Sequence, residues 1–187
     1  MKRLTVVLSL GVVGIFLTAS HAQAQYIYGA GGVNIPVGTF KDGVKTGWIA
    51  SAGVGADVGK KGLWVEAEGW YGSNKWKTTG IYGEAGKTDL LSGLGVVGYS
   101  FTPEKSVSPY LAGGLGFLHA KAKSSDGLST GSSTKFAYTG AAGLGFKAGT
   151  SAHVFIEARY LAGTSSGYAK MLPITAGVSV NVGKKKM

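Results

Sequence analysis

Leu172-Pro173-Ile174-Thr175-Ala176-Gly177-Val178-Ser179-Val180-Asn181-Val182 alternates apolar residues with small or polar ones along its whole length. Leu172, Ile174, Ala176, Val178, Val180 and Val182 fall on one side of an extended chain, and Pro173, Thr175, Gly177, Ser179 and Asn181 on the other. Successive side chains of a strand point to opposite faces, so this period of two describes a β-strand with one greasy face. Working back from it, the same pattern recurs to within two dozen residues of the N-terminus.

Those first residues read differently. Lys2 and Arg3 form a positive region, Leu4 to Leu17 an apolar one, and Ala22-Gln23-Ala24 a small-x-small cleavage site. That is a secretory signal peptide over residues 1–24, too short and wrongly flanked for a spanning helix. The mature chain is expected to begin at Gln25 and to form one domain over residues 25–187, ending in a short Lys-rich tail at 183–187. No other stretch approaches the ~18 apolar residues that a spanning helix needs. An exported chain of long two-faced strands implies a barrel whose greasy side faces lipid. A soluble periplasmic barrel carrying an apolar ligand, lipocalin-fashion, would need the greasy faces turned inward instead.

With no Cys, the chain has neither a disulfide framework nor a thiol nucleophile or ligand. Many of its 33 Gly, such as Gly113, Gly114, Gly143 and Gly145, sit inside the alternating runs among Tyr, Phe, Val and Leu, where Gly marks bends and close backbone approach rather than disorder. The formal net charge is +10, from 19 Lys and Arg against 9 Asp and Glu. The lysines fall mostly in expected loops and turns and do not cluster with stacking aromatics, so nucleic acid is not an expected partner. Outer-membrane lipids and the phosphates of lipopolysaccharide are the natural anionic neighbours of an exported basic surface.

Eight strands are expected, near 26–35, 48–58, 63–72, 88–101, 109–121, 135–148, 152–163 and 171–182. Short turns at 59–62, 102–105 and 149–151 alternate with longer loops at 36–47, 73–87, 124–134 and 164–170. Even strand number, strands of about ten residues, and short turns on one side with long loops on the other describe an all-β, eight-stranded antiparallel up-and-down transmembrane barrel. The faces agree where they separate. Leu63, Val65, Ala67 and Tyr71 oppose Glu66 and Glu68; Phe136, Tyr138 and Leu144 oppose Lys135, Thr139 and Lys147; Val154, Ile156 and Tyr160 oppose His153, Glu157 and Arg159.

A Lys or Arg facing lipid at the bilayer centre costs ~2–4 kcal/mol, whereas opposite charges inside a barrel can pair. Glu66, Glu68, Lys135, Lys147, Glu157 and Arg159 are therefore expected inside, with Glu66, Glu68, Glu157 and Arg159 at the centre of an ion-pair network that plugs the lumen. Aromatics near strand ends (Tyr26, Tyr28, Trp48, Tyr71, Tyr99, Phe101, Tyr110, Phe136, Tyr138 and Tyr160) fit interfacial girdles. In the loops, Lys75, Trp76, Lys77 and Tyr82 are the candidate contacts for an extracellular ligand.

Pro109-Tyr110-Leu111-Ala112-Gly113-Gly114-Leu115-Gly116-Phe117 resembles the PY-x-x-G-x-G strand of small outer-membrane barrels of the opacity-protein and OmpX/OmpA-like group. Phe155-Ile156-Glu157-Ala158-Arg159-Tyr160 resembles that group's seventh strand, and Leu172 to Val178 its last. The resemblance covers essentially all of residues 25–187. It implies an eight-stranded barrel in the outer membrane of a Gram-negative bacterium, inserted by the outer-membrane assembly machinery and, as in most of the group, not enzymatic. One feature departs from the pattern. Members usually end on an aromatic residue that the assembly machinery recognises, and this chain reads Val180-Asn181-Val182-Gly183 followed by three lysines and Met187. Either that signal is degenerate here or insertion takes another route.

Other chemistry finds little support. His119 and His153 are too few for a metal site without more convergent ligands. Ser124 and Ser125 lie near His119, but serines are abundant in that stretch and the proximity singles out no activated nucleophile. The Gly-x-Gly segments precede no helix and so cradle no phosphate, and no cofactor is implied. The expected function is non-enzymatic, structural or surface-interacting through the loops. A narrow porin-like channel is the alternative.

Overall fold

The computed structural model describes residues 25–58, 61–77, 86–125, 128–165 and 167–182, so the expected signal peptide, the Lys-rich tail and Tyr82 lie outside the described residues. Eight strands run in chain order: β1 (Gln25–Pro36), β2 (Gly47–Asp57), β3 (Leu63–Lys75), β4 (Gly86–Ser100), β5 (Val107–Ser124), β6 (Ser129–Lys147), β7 (Ala152–Gly163) and β8 (Lys170–Asn181). A single helical turn, α1 (Phe40–Gly43), lies between the first two. Every strand pairs antiparallel with its sequence neighbour, and β1 pairs with β8 to close the barrel. The eight-stranded up-and-down architecture is the one expected from the alternation.

Register turns that alternation into an inside-out molecule. Ile27, Val54, Leu91, Leu115, Ile156 and Val178 all point outward and are exposed, as are Val33, Val97, Leu111, Val154 and Ile174. Contiguous apolar surface on this scale marks a lipid-facing band, not the outside of a soluble protein. The inward residues alternate with these, and several inward rings lie flat over a glycine of the neighbouring strand. A Cβ at Gly53 would stand 2.6 Å from Tyr28 Cε1, and one at Gly143 would stand 2.6 Å from Tyr110 Cε1. A narrow barrel has no room for a side chain at every inward position, so glycine beside Tyr26, Tyr28, Trp64, Tyr110 and Phe155 is the packing solution.

The wall is uneven in height. β6 pairs with β7 only from Ala137, while residues 129–136 pair with β5 alone. β3 and β4 also run on to Lys75 opposite Lys87. Much of the expected loop at 124–134 is therefore a two-stranded ribbon, and Ser73 to Lys75 are strand. The Ser and Thr residues there read as loop by composition, but Ser129 and Ser132 to Thr134 take places on rungs, such as Lys121 opposite Ser132 and Ala120 opposite Ser133. Tertiary pairing supplies what the local propensity leaves open.

Candidate functional site

Two features stand out, the filled lumen and the outer face of the tall β3–β6 wall. Within the lumen the residues form layers. In the half nearer the short turns, β3 directs Trp64, Glu66, Glu68 and Trp70 inward while β7 directs Glu157 and Arg159 from across the barrel. Arg159 is 2% exposed. Its Nη1 stands 2.7 Å from Glu68 Oε1 and its Nε 2.7 Å from Glu157 Oε1, and the guanidinium lies over the Trp70 ring at 4.9 Å. Tyrosine hydroxyls take up the remaining acceptors: Tyr26 donates to Glu66 at 2.7 Å, Tyr110 to Glu157 at 3.1 Å, and Tyr28 to Glu68. Arg159 also approaches Thr139 Oγ1 at 3.4 Å. Buried charge is tolerable only with such complete pairing and hydrogen bonding.

The structure places the other expected interior charges elsewhere. Lys135 and Lys147 share the inward register of β6 but join no carboxylate of this cluster. Lys147 lies at the short-turn mouth and donates to the Glu104 carbonyl at 2.5 Å. Lys135 lies opposite Leu118, above the acidic cluster at the far end of the inward row. Alternation assigns them the right face but carries no information on height along the axis, and height keeps them apart from the glutamates.

Three aromatics expected in the girdles are also inside. Tyr26, Tyr28 and Tyr110 alternate with exposed Ile27 and Leu111 and place their hydroxyls on the interior carboxylates. Their parity was a legible signal. The girdle role suits outward Trp48 and Tyr71, which meet edge-on at 5.5 Å, and Tyr99 and Phe101, at 5.4 Å.

Above the charged layer lies an apolar one that the sequence reading missed. Ile49, Trp70, Leu90, Leu118, Leu161 and Met171 pack together and leave no room for a water molecule. Ile49 is apolar on a face where Ser51, Gly53, Gly55 and Asp57 follow at alternate positions, and that exception was the signal. Higher still, Asn34 donates to Asn74 Oδ1 at 2.7 Å and Trp76 Nε1 to Thr88 Oγ1 at 2.9 Å. Val44, beyond α1, bridges to Trp76 and is itself buried. Trp76 is thus buried, not a loop contact as expected, because its strand register carries it into the lumen. Lys75 is exposed and Lys77 half-buried.

The outer face of the tall wall carries the other charges. Lys75 lies directly opposite Lys87, and Lys87 directly opposite Lys123, across three adjacent strands. Lys121 lies one rung below, opposite Asp89. Asp89 meets Lys123 at 2.7 Å and Lys87 at 3.6 Å and accepts from Ser73 Oγ at 2.8 Å. One carboxylate thus pairs with two of the four lysines on this face. Below them the outward residues become apolar and aromatic, with Tyr71, Leu91, Phe117 and Phe136. His119 stands on the same wall, bonded to Thr134, while His153 lies at the opposite mouth. Among the described residues no group of three or more His, Asp or Glu side chains is placed to hold a metal ion.

A closed antiparallel barrel, apolar outside and filled inside, is an integral outer-membrane protein. Residues 8–183 match the family model described as Outer membrane protein beta-barrel domain, and the chain belongs to that family, resident in the outer membrane. Solved structures share the fold. Neisserial surface protein A has 17% identity and a TM-score of 0.67, covering 83% of this chain and 96% of that one. OprG of Pseudomonas aeruginosa has 13% identity and a TM-score of 0.57, covering 87% and 98%. Ail of Yersinia pestis, in complex with the heparin analogue sucrose octasulfate, has 18% identity and a TM-score of 0.53, covering 84% and 96%. Among curated proteins, none matches the sequence.

Proposed function

We propose that this protein is a non-enzymatic surface component of the outer membrane whose β3–β6 wall binds the phosphates of lipopolysaccharide. Short turns lie on the periplasmic side of such barrels and long loops outside, so the tall wall stands at the outer leaflet. The observation that carries the reading is the row Lys75, Lys87 and Lys123, directly opposed on adjacent strands with Asp89 as the partner of two of them. Like charges directly opposite destabilise a sheet, and phosphates at headgroup level would relieve that repulsion. Insertion by the outer-membrane assembly machinery and an extracellular ligand engaged near Lys75 and Lys77 belong to the same reading. A channel is the weaker reading, because the apolar layer around Leu118 and Leu161 packs without room for a water molecule. A soluble carrier is weaker still, because the apolar band faces outward.

The test is lipopolysaccharide binding by the refolded protein in phosphatidylcholine nanodiscs, with Lys75, Lys87 and Lys123 changed together to Gln. A lysine near an anionic membrane surface contributes about 1 kcal/mol, so the loss should be on the order of 100-fold in affinity. Sucrose octasulfate serves as a soluble polyanionic competitor. Equal affinity of the native and folded triple variant would overturn the proposal.

A further inference from the structure

We propose that the lumen of the short-turn half is a binding site for a small organic cation, an amine or quaternary ammonium with an apolar body. Entry from the periplasm rests on the orientation adopted above; the site itself does not. A cavity of about 290 Å³ opens at that end and reaches down to Trp70 and Arg159, close to the ~300 Å³ at which small-molecule sites begin. Its walls are aromatic: Tyr26, Tyr28, Trp64, Tyr110 and Phe155. Trp64 meets Tyr110 edge-on at 6.0 Å and Tyr28 meets Phe155 at 5.8 Å, so the rings brace one another around the space. Ring faces attract cations, most strongly where water is excluded.

The charges point the same way. Arg159 is engaged by Glu68 and Glu157. Glu66 lines the cavity, accepts one hydrogen bond from Tyr26, and has no ion pair among the described residues. One acid group therefore faces the ring-lined space outside the ion pairs that Arg159 makes with Glu68 and Glu157. A second observation is independent of it. Ser51 is 8% exposed and lines the same cavity, and its Oγ has no hydrogen-bond partner among the described residues; the same holds for Ser108 Oγ. Buried hydroxyls ordinarily find partners, and these two can supply polar contacts to an occupant. Lys105 and Lys147 lie at the mouth, where the Glu104 carbonyl holds Lys147. The acid is deep, so an anionic ligand would meet Glu66 before it filled the space.

The experiment is a ¹⁹F NMR titration of the full barrel in nanodiscs with 4-fluorobenzylamine, alongside 4-fluorobenzyl alcohol and 4-fluorobenzoate, with empty nanodiscs to measure partition into lipid. Saturable binding of the amine alone is expected, weakened about tenfold or more by Glu66→Gln. Ser108→Phe leaves Glu66 in place, fills the mouth and should abolish binding. Heat-modifiable gel mobility identifies the folded variants. No saturable binding, equal binding of the alcohol or the benzoate, or undiminished binding by either folded variant would overturn the site. Titrating the lysine triple variant separates the two readings, because its amine binding should be unchanged whether or not lipopolysaccharide binding is lost.

Discussion

Replacing Arg159 with Met tests the charged layer directly. Removing one partner of a buried ion pair costs about 3–5 kcal/mol, because the remaining charge is left uncompensated. Here Glu68 and Glu157 both lose their cation, and Trp70 loses the guanidinium at 4.9 Å. Against this, Glu68 keeps the Tyr28 hydroxyl and Glu157 keeps that of Tyr110. The hydroxyls soften the loss, so the lower part of the range, about 3 kcal/mol, is the expected destabilisation. Urea unfolding in lipid vesicles, read by tryptophan fluorescence, measures it, with Trp70 beside the substituted side chain. The discriminating variant adds Glu68→Gln and Glu157→Gln to Arg159→Met. If uncompensated charge is the cause, removing all three charges recovers most of the stability. A single variant within about 1 kcal/mol of the native protein, or a triple variant no more stable than the single, would refute the reasoning.

The ring-over-glycine packing predicts that Gly143→Ala, whose methyl would stand 2.6 Å from Tyr110 Cε1, destabilises the barrel by ~1–3 kcal/mol in the same assay, through displacement of the ring. The apolar layer predicts that Leu161→Ala costs ~2–5 kcal/mol, because the residue is 1% exposed. In planar bilayers the native protein should give no stable single-channel conductance, and steady conductance would contradict the sealed layer. In the turns, Lys61 Nζ lies 2.9 Å from Glu104 Oε1 and, by hydrogen bond and charge, holds that carboxyl below its ordinary range. A depressed carboxyl stabilises at neutral pH, and the contribution disappears as pH falls through the depressed value. Both groups are solvent-exposed, so Glu104→Gln should shift the urea midpoint only slightly at neutral pH and not at all in acid.

Much of the lumen was legible residue by residue, but not its layering. Glu66, Glu68, Glu157 and Arg159 declare their face by alternation with Val65, Ala67, Ile156 and Ala158. The contact between Arg159 and Glu68 spans 91 residues of sequence and depends on the registers of every strand between them. Leu90 and Leu91 are identical neighbours in sequence, yet one packs in the apolar layer and the other faces outward. No local pattern distinguishes them. Trp76 reads as an exposed aromatic in a polar loop until its bridge to Val44 places it inside.

By itself, then, the sequence determined the period of two, the number of strands, which face of most strands is greasy, and hence a barrel turned toward lipid. These are local properties, set by how successive side chains alternate about an extended backbone. Only the tertiary structure decided the height of each wall, the stacking of a charged layer beneath an apolar one, the cavity beside Glu66 and the opposition of Lys75, Lys87 and Lys123. Each of these depends on inter-strand register, and a shift of one residue would turn every side chain of a strand to the other face.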